Sequence, residues 1–371
     1  MLQTPEAPAV TVVERLLRAA VEVGASDLHI DPSEHGVNVR MRRDGVLEQL
    51  EVLPEQIREH LVGRVKALAD LLVYRTDVPQ EGRIPAERSG LPTDLRVATY
   101  PTVFGERIAV RFDAREAGPR SIDDIGFESV VSDSLRLALD QPDGVILVTG
   151  PSGSGKTTTL YACLRQLVQG GRQRSIMTVE DPIERRVQGV TQTQTDAVAG
   201  LDFARALRSL LRQDPEVLLV GEIRDRETAK IALEAGLTGH LVLSTVHAGT
   251  APLIFARLLE MGIEPFVLTT AIRGVLAQRL VRRRCDDARC TTKGSDCPKC
   301  RGTGYHGRIP LGEWVPMTPG LRKVVLARGD GSDLTVAASE AGGRSLRESA
   351  DALVQKGLTT QEEVNRVLGT R

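Results

Sequence analysis

Residues 150–157 have the sequence Gly-Pro-Ser-Gly-Ser-Gly-Lys-Thr and match G-x-x-x-x-G-K-[ST], the pattern of phosphate-binding loops. The apolar run before the loop, 144–149, has the length of a buried strand, and the residues after it, 158–164, predict a helix. This pattern binds nucleotide when it lies between a strand and a helix, so a coincidental Gly/Ser loop is the weaker interpretation. The sequence therefore predicts a nucleotide-binding P-loop.

The loop residues have expected ligands. Backbone N–H groups and the positive helix end are expected to surround a triphosphate. Lys156 is expected at the β- and γ-phosphates, and the Thr157 hydroxyl at Mg²⁺. The candidate nucleotide-binding residues are Gly150, Pro151, Ser152, Gly153, Ser154, Gly155, Lys156, Thr157 and Thr158, with Thr157 also the Mg²⁺ ligand.

Composition restricts the class of protein. The 371 residues, 41% of them hydrophobic, suffice for two or three domains with apolar cores. A net charge of −1 and an aromatic content of 3% leave little for a surface that binds nucleic acid, so no nucleic-acid partner is expected. The N-terminus lacks a signal sequence, and no stretch approaches the ~20 apolar residues of a membrane span. We expect a soluble, cytoplasmic chain.

The N-terminal part predicts an α+β domain over residues 1–113. Its predicted elements are a helix over 10–23, a strand over 27–30, a hairpin around Asp44-Gly45, a helix with an apolar face from Ile57 to Leu72, and strands over 95–100 and 107–112 that flank a turn at 101–106. Residues 114–125 contain Gly, Pro and several charges and predict a linker.

Residues 126–315 predict an α/β domain, because strands alternate with helices as in a mostly parallel sheet. Residues 316–371 predict a helical C-terminal segment. Four predicted strands end in polar groups: 145–149, 176–179, 217–220 and 241–246. Open α/β sheets bind ligands at the carboxyl ends of their strands, so these strand ends should converge on one site.

Carboxylates follow two of these strands. Glu222 follows the 217–220 strand in a Walker B arrangement with Gly221 in the usual Asp position, and is the candidate near Mg²⁺ or the attacking water. A solvated Glu is the weaker interpretation beside a P-loop. Glu180, Asp181 and Glu184 could hold a metal or position a water, although ordinary strand-to-turn exits also use Asp-Pro. Glu180 and Glu184 are therefore further catalytic candidates.

Two histidines flank the 241–246 strand. His240 and His247 are seven positions apart, so the period of two places them on opposite faces. His247 lies at the carboxyl end and is the candidate for sensing the γ-phosphate, whereas His240 is assigned a structural role.

Four of the five cysteines lie between 285 and 300, in the spacing C-x4-C-x6-C-x2-C. Thiolates at such spacing favour zinc bound by Cys285, Cys290, Cys297 and Cys300. Free thiols are the second interpretation, and a disulfide comes last in a reducing cytoplasm. Cys163 and Trp314 are assigned to packing.

Several of these segments resemble motifs of the type II secretion and type IV pilus assembly ATPases. Residues 178–184 resemble the aspartate box of that family, 207–225 its atypical Walker B block, and 237–247 its histidine box. Further similar stretches lie at 26–30, 79–84, 276–280 and 302–308. The resemblance covers about residues 10–320, with the motifs in the family's order.

This resemblance implies a RecA-like P-loop ATPase core with a smaller α+β N-terminal domain, a four-cysteine zinc knuckle and a helical C-terminal segment. It implies Mg²⁺-dependent ATP hydrolysis by a homohexamer that powers pseudopilus or pilus assembly. The hexamer would act through an inner-membrane platform protein, at the inner face of the cytoplasmic membrane. Many members carry a large N-terminal recruitment domain, which is expected to be missing here.

Two other functions are alternatives. A pilus-retraction ATPase is disfavoured because such relatives typically lack the zinc knuckle. A nucleotide-binding regulator that does not hydrolyse is disfavoured by Lys156, Thr157 and Glu222, which are all present.

Arg96 and Arg111 are further catalytic candidates. Strand alternation places them, with Arg107, on the face opposite the apolar residues if the two strands pair. The resemblance implies that two arginines of this spacing reach the γ-phosphate, with Arg83 and Arg107 as weaker candidates. A solvated basic face is the alternative in an Arg-rich chain. We favour their own chain's P-loop as the target, and action on a neighbouring subunit stays open.

Overall fold

A computed structural model describes residues 6–112, 118–119, 121–290, 294 and 297–370. The chain divides into two compact units, Met1–Ala117 and Gly118–Arg371. Of the predicted linker at 114–125, residues 114–117 and 120 lie outside the described residues.

The first unit contains six strands and three helices within its described residues. They are, in chain order, α1 (Glu6–Glu22), β1 (Asp27–Ser33), β2 (Gly36–Arg43), β3 (Val46–Leu53), α2 (Arg58–Leu68), β4 (Gln80–Ile84), α3 (Ala86–Ser89), β5 (Leu95–Thr102) and β6 (Gly105–Phe112).

The six strands form one antiparallel sheet in the order β3-β2-β1-β6-β5-β4. Alternate residues such as Leu28, Val39 and Val110 are buried in one core with the apolar stripes of α1 and α2, as strand and helix periods require. The predicted hairpin at Asp44-Gly45 is confirmed, since Arg43 and Val46 pair at its base.

Several elements of this unit differ from the sequence prediction: α1 begins at Glu6, β1 continues to Ser33, and β4 and α3 have no predicted counterpart. Helix α2 ends at Leu68, and Leu72 is 46% exposed instead of continuing the apolar face. The chain leaves the helix because Lys66 Nζ donates to the Arg75 carbonyl (2.7 Å) and the Gln80 side chain hydrogen-bonds the Leu72 backbone. Strands β5 and β6 also extend into the predicted turn at 101–106, and only residues 103–104 separate them.

The second unit contains seven strands and ten helices within its described residues. They are, in chain order, α4 (Ser129–Leu139), β7 (Gly144–Thr149), α5 (Lys156–Gln169), β8 (Ile176–Glu180), β9 (Thr191–Gln194), α6 (Phe203–Leu210), β10 (Val217–Val220), α7 (Arg226–Leu237), β11 (Leu241–Thr245), α8 (Leu253–Glu260), α9 (Pro265–Ala271), β12 (Ile272–Arg284), β13 (Tyr305–Pro316), α10 (Pro319–Leu326), α11 (Gly331–Glu340), α12 (Leu346–Gln355) and α13 (Gln361–Leu368).

These seven strands form a sheet in the order β13-β12-β7-β11-β10-β8-β9, parallel except for the β12–β13 pair. Helices cover both faces, so the central strands are apolar throughout: Val145 and Leu147 enter one core, and Ile146 and Val148 enter the other. The carboxyl ends of β7, β8, β10 and β11 lie at one edge of this parallel array, as predicted.

Strands β9, β12 and β13 were not predicted. Five of the thirteen residues of β12 are Arg, a good helix former, and the strand conformation comes from pairing with β7 and β13. The predicted helices after residue 316 are confirmed as α10 to α13. None of the helices in the described ranges combines the length and the apolar content that a membrane span requires.

Candidate nucleotide-hydrolysis site

The P-loop connects the end of β7 to the start of α5. Gly150 has φ +153°, and a Cβ there would lie 2.5 Å from both the Gln278 carbonyl oxygen and Ser154 Oγ. Gly155 has φ +90° immediately before Lys156. Both positions require glycine, because an L side chain would be strained or would clash. The backbone can therefore follow a phosphate-sized ligand closely.

Lys156 folds back over the loop. Its Nζ donates hydrogen bonds to the carbonyls of Gly150 (2.8 Å) and Pro151 (3.0 Å). Burial lowers the pKa of Lys156, and the opposing charge of Glu222 partly offsets that effect. The ammonium group thus lies at the loop, where a P-loop lysine meets phosphate.

Gln278 supports the loop from β12, and sequence reasoning gave it no role. Its side chain is 1% exposed, and Nε2 donates to the Ser154 carbonyl (2.7 Å). Thr159 Oγ1 donates to Gln278 Oε1 (2.9 Å), which joins β12 to α5. The signal that the sequence offers at Gln278 is the resemblance of residues 276–280 to a motif of the secretion ATPases. The Ser154 hydroxyl is buried and has no hydrogen-bond partner within the part of the chain that the structure describes.

Glu222 and His247 form a pair at the ends of neighbouring strands. Glu222 Oε1 lies 3.0 Å from His247 Nε2, and Arg224 Nε donates to Glu222 Oε2 (2.7 Å). The Glu222 side chain is 19% exposed, so part of the carboxylate remains accessible. His240 lies at the opposite end of β11, where its Nδ1 is 3.0 Å from the Ala235 carbonyl oxygen. Of the two histidines, only His247 contacts Glu222.

Glu180 is placed differently from Glu222. It is the last residue of β8, 4% exposed, and its carboxylate accepts from Tyr161 OH, Thr178 Oγ1 (2.6 Å) and Gln192 Nε2 (3.0 Å). Internal donors therefore occupy both of its oxygens.

Glu184 instead lines an open cavity. The residues around this cavity are Gly118, Pro119, Thr157, Thr158, Tyr161, Arg165, Glu184 and Arg185. Arg165 Nη1 donates to the Pro119 carbonyl (2.5 Å) and fixes that wall. Thr157, the expected Mg²⁺ ligand, therefore shares a cavity with Glu184.

The four clustered cysteines meet between β12 and β13. Their sulfur atoms all lie within 4.8 Å of one another, with 3.8 Å between Cys285 and Cys297 and 3.4 Å between Cys290 and Cys300. Tetrahedral Zn²⁺ with bonds of about 2.3 Å would place sulfurs about 3.8 Å apart, so this donor set fits zinc.

The pKa of one of these thiols, that of Cys300, lies below its ordinary value. Burial raises the pKa of the Cys300 thiol, but hydrogen bonds from Gly304, Cys290, Cys297 and Gly302 outweigh that effect and lower it to about 7. The fifth cysteine, Cys163, is buried in the core as predicted.

Arg96 and Arg111 are direct cross-strand partners in the first unit, on the exposed face of its sheet. The predicted strand pairing is thus confirmed. Arg111 Nε donates to Asp27 Oδ1 (3.1 Å), and Arg83 pairs with Asp94 (2.7 Å). The roles of these arginines in hydrolysis stay predictions.

A P-loop between a parallel strand and a helix, with a carboxylate at the end of a nearby strand, defines a P-loop NTPase. The chain belongs to the family described as "Type II/IV secretion system protein", whose model matches residues 3–366.

Among similar proteins, the type II secretion system protein HxcR of Pseudomonas aeruginosa is 43% identical over 365 residues, which cover 97% of this chain and 77% of that protein. The type II secretion system ATPase E of Vibrio cholerae is 39% identical over 383 residues, which cover 98% and 76%. The Legionella pneumophila ATPase DotB has a similar fold, with a TM-score of 0.71, 22% identity, and coverage of 96% and 95%. This chain is therefore an ATP-hydrolysing enzyme of the family.

Proposed function

We propose that this chain is the Mg²⁺-dependent ATPase that powers pseudopilus or pilus assembly in a type II secretion or type IV pilus system. The observation that carries the proposal is the Glu222–His247 pair at the strand ends beside the P-loop, in a chain similar to type II secretion ATPases over nearly its whole length. Its support is that Glu222 and His247 follow neighbouring parallel strands, at the edge of the sheet where the strand ends converge.

Each of these residues would have a different role in ATP hydrolysis. Lys156 would neutralise charge on the β- and γ-phosphates, and Thr157 would hold Mg²⁺, which supplies further charge neutralisation when bound. Glu222 would orient the water that attacks the γ-phosphorus as the bond to the leaving ADP oxygen breaks. His247 holds one Glu222 oxygen and would respond to the presence of the γ-phosphate.

The test is Glu222→Gln, which keeps the size of the side chain and removes its charge. We expect ATP binding to persist and turnover to fall by ~10²–10³, the range for groups that act in the transition state. Glu260→Gln, an exposed glutamate at the end of α8, is the matched control and should hydrolyse ATP like the parent. Parental turnover in Glu222→Gln would overturn the assignment.

We further propose that the enzyme works as a homohexamer against an inner-membrane platform protein, at the cytoplasmic face of that membrane. The family supports this proposal. Sedimentation with and without nucleotide tests the hexamer. Scoring a deletion strain for both secreted protein and surface pili tests whether the ATPase serves a secretion system or a pilus system. Loss of pilus retraction with normal extension would favour the retraction motor instead.

We propose that Cys285, Cys290, Cys297 and Cys300 bind one Zn²⁺ as a structural knuckle. The support is the spacing of their sulfur atoms, which suits a tetrahedral ion. The knuckle also favours the assembly branch, because retraction relatives typically lack it.

We also propose that Arg96 and Arg111 complete an ATP site. Their cross-strand pairing and exposure leave both guanidinium groups on one face, where a triphosphate could meet them together. Their own chain's P-loop is the favoured target, and a neighbouring subunit's is the alternative.

A further inference from the structure

The Tyr161 hydroxyl joins the P-loop helix to the segment after β8, residues 181–187. Tyr161 lies on α5, one helical turn after Thr157, and is 4% exposed. Its hydroxyl donates to the Glu180 carboxylate and accepts from the Arg185 backbone N–H (3.4 Å). A single side chain on the P-loop helix therefore contacts both the end of β8 and the segment that follows it.

Gln192 makes a second connection from β9. Its Nε2 donates to Glu180 Oε1 (3.0 Å) and to the Arg185 carbonyl (2.9 Å). Its Oε1 accepts from the Val187 backbone N–H (2.7 Å). The segment after β8 is thus held at Arg185 and Val187 by two side chains that both bind Glu180.

Glu180 is a fixed, buried group to which both of these side chains bind. Its oxygens already accept from Tyr161, Thr178 and Gln192, and a buried carboxylate with three donors is well satisfied where it is. Burial raises the pKa of Tyr161, and the bond to Glu180 raises it further, so the hydroxyl keeps its proton. The carboxylate of this segment that lines the cavity is Glu184, and Thr157 and Thr158 line the same cavity.

We propose that Tyr161 and Gln192 are positioning residues for ATP hydrolysis, which tie the segment after β8 to Glu180 and so hold Glu184 in the cavity that Thr157 lines. This inference rests on the proposed Mg²⁺ and water site at Thr157. Because α5 begins at the phosphate loop and carries Tyr161, it thereby fixes the distance between Glu184 and the site at Thr157. Displacement of a reacting or orienting group by ~1 Å can cost ~10² in rate, so modest loosening of the segment should be measurable.

The experiment is Tyr161→Phe, which keeps the ring and removes the hydroxyl. We expect kcat to fall about 10- to 100-fold while KM for ATP changes less than about threefold, because geometry is lost and the P-loop is kept. Tyr305→Phe is the matched control. It removes another buried tyrosine hydroxyl, bonded to Thr360 (2.6 Å) beside the cysteine cluster, and should leave kcat unchanged.

A double-mutant cycle with Glu184→Gln separates positioning from general stability. If Tyr161 acts through Glu184, Tyr161→Phe should lower kcat strongly in the parent and by less than about twofold in Glu184→Gln. Three results would each overturn the inference. The first is an equal fall in kcat in both backgrounds, the second is parental kcat in Tyr161→Phe, and the third is parental kcat in Glu184→Gln. Parental kcat in Glu184→Gln would not contradict the assignment of Glu222. Conversely, an active Glu222→Gln enzyme would not contradict the positioning role of Tyr161.

If Tyr161→Phe does not fold, Gln192→Met takes its place in the same cycle. Methionine keeps the length of the side chain and removes its three hydrogen bonds. Failure of both variants to fold would overturn the inference, because the contacts would then serve folding alone.

Discussion

The most sharply quantified prediction concerns Glu363, which fastens the last helix of the described chain to the central sheet. Glu363 has no exposed surface, and it accepts hydrogen bonds from the Arg282 backbone N–H, the Arg282 guanidinium and the Arg366 guanidinium at 2.6–2.9 Å. Arg282 in turn lies over the Tyr305 ring, 4.1 Å from its centroid. The perturbation is Glu363→Gln, which keeps the shape and removes the charge.

The magnitude follows from the pKa. Burial raises the pKa of the Glu363 carboxyl, but hydrogen bonds from Arg366 and Arg282 outweigh that effect and lower it from 4.5 to about 2. At about 1.36 kcal/mol per pKa unit, the charged carboxylate contributes roughly 3 kcal/mol to the stability of the fold. Because the folded pKa is the lower one, this contribution is complete above about pH 5 and is lost as the pH falls towards 2.

The assay is urea unfolding followed by tryptophan fluorescence. Trp314 is the single tryptophan of the sequence and lies in β13, which pairs with the strand that carries Arg282, so the signal reports on this unit. We expect Glu363→Gln to lose roughly 3 kcal/mol near pH 7 and much less near pH 3.

Glu340→Gln, at the exposed end of α11, is the matched control and should change stability by less than about 0.5 kcal/mol. A loss in Glu363→Gln that does not depend on pH would refute the electrostatic reasoning, and a loss below about 1 kcal/mol would refute the magnitude.

Three further predictions concern the nucleotide site and the cysteine cluster. Gln278→Met should weaken ADP binding about 3- to 30-fold in a fluorescent-nucleotide titration, because the Ser154 carbonyl loses its buried donor; unchanged affinity would contradict the supporting role. Protein purified without chelator should contain about one zinc per chain, lost together with stability when Cys297 and Cys300 are replaced by Ser, with nucleotide binding retained; four freely alkylated thiols and no metal would contradict it. Arg111→Ala should lower turnover by ~10³ or more without unfolding, and parental turnover would contradict the assignment. Hexamers that mix Arg111→Ala chains with Lys156→Ala chains test which subunit Arg111 serves. Restored activity would place Arg111 at the nucleotide of a neighbouring subunit.

The sequence by itself determined the P-loop, the parallel sheet and the edge of that sheet where polar residues gather. These features depend on local patterns: a glycine-rich turn between an apolar strand and a helix, and strands that are apolar throughout because both faces are covered. The same patterns placed Arg96 and Arg111 on one face, because antiparallel pairing has a period of two.

Only the tertiary structure distinguished the carboxylates. Glu180, Glu184 and Glu222 all lie at or just after the ends of strands, yet internal donors occupy Glu180, Glu184 lines a cavity, and His247 pairs with Glu222. The donors that occupy Glu180 include Tyr161 and Gln192, which lie 19 and 12 positions away, and His247 lies 25 positions from Glu222; such contacts leave no local periodicity.

Distant pairing likewise decided β12 and β13, whose sequences do not alternate regularly between apolar and polar residues. Gln278 reaches the P-loop across 124 positions, and Glu363 reaches Arg282 across 81. A composition or spacing pattern describes neighbours in sequence, whereas these hydrogen bonds exist only once the chain has brought remote strands and helices together.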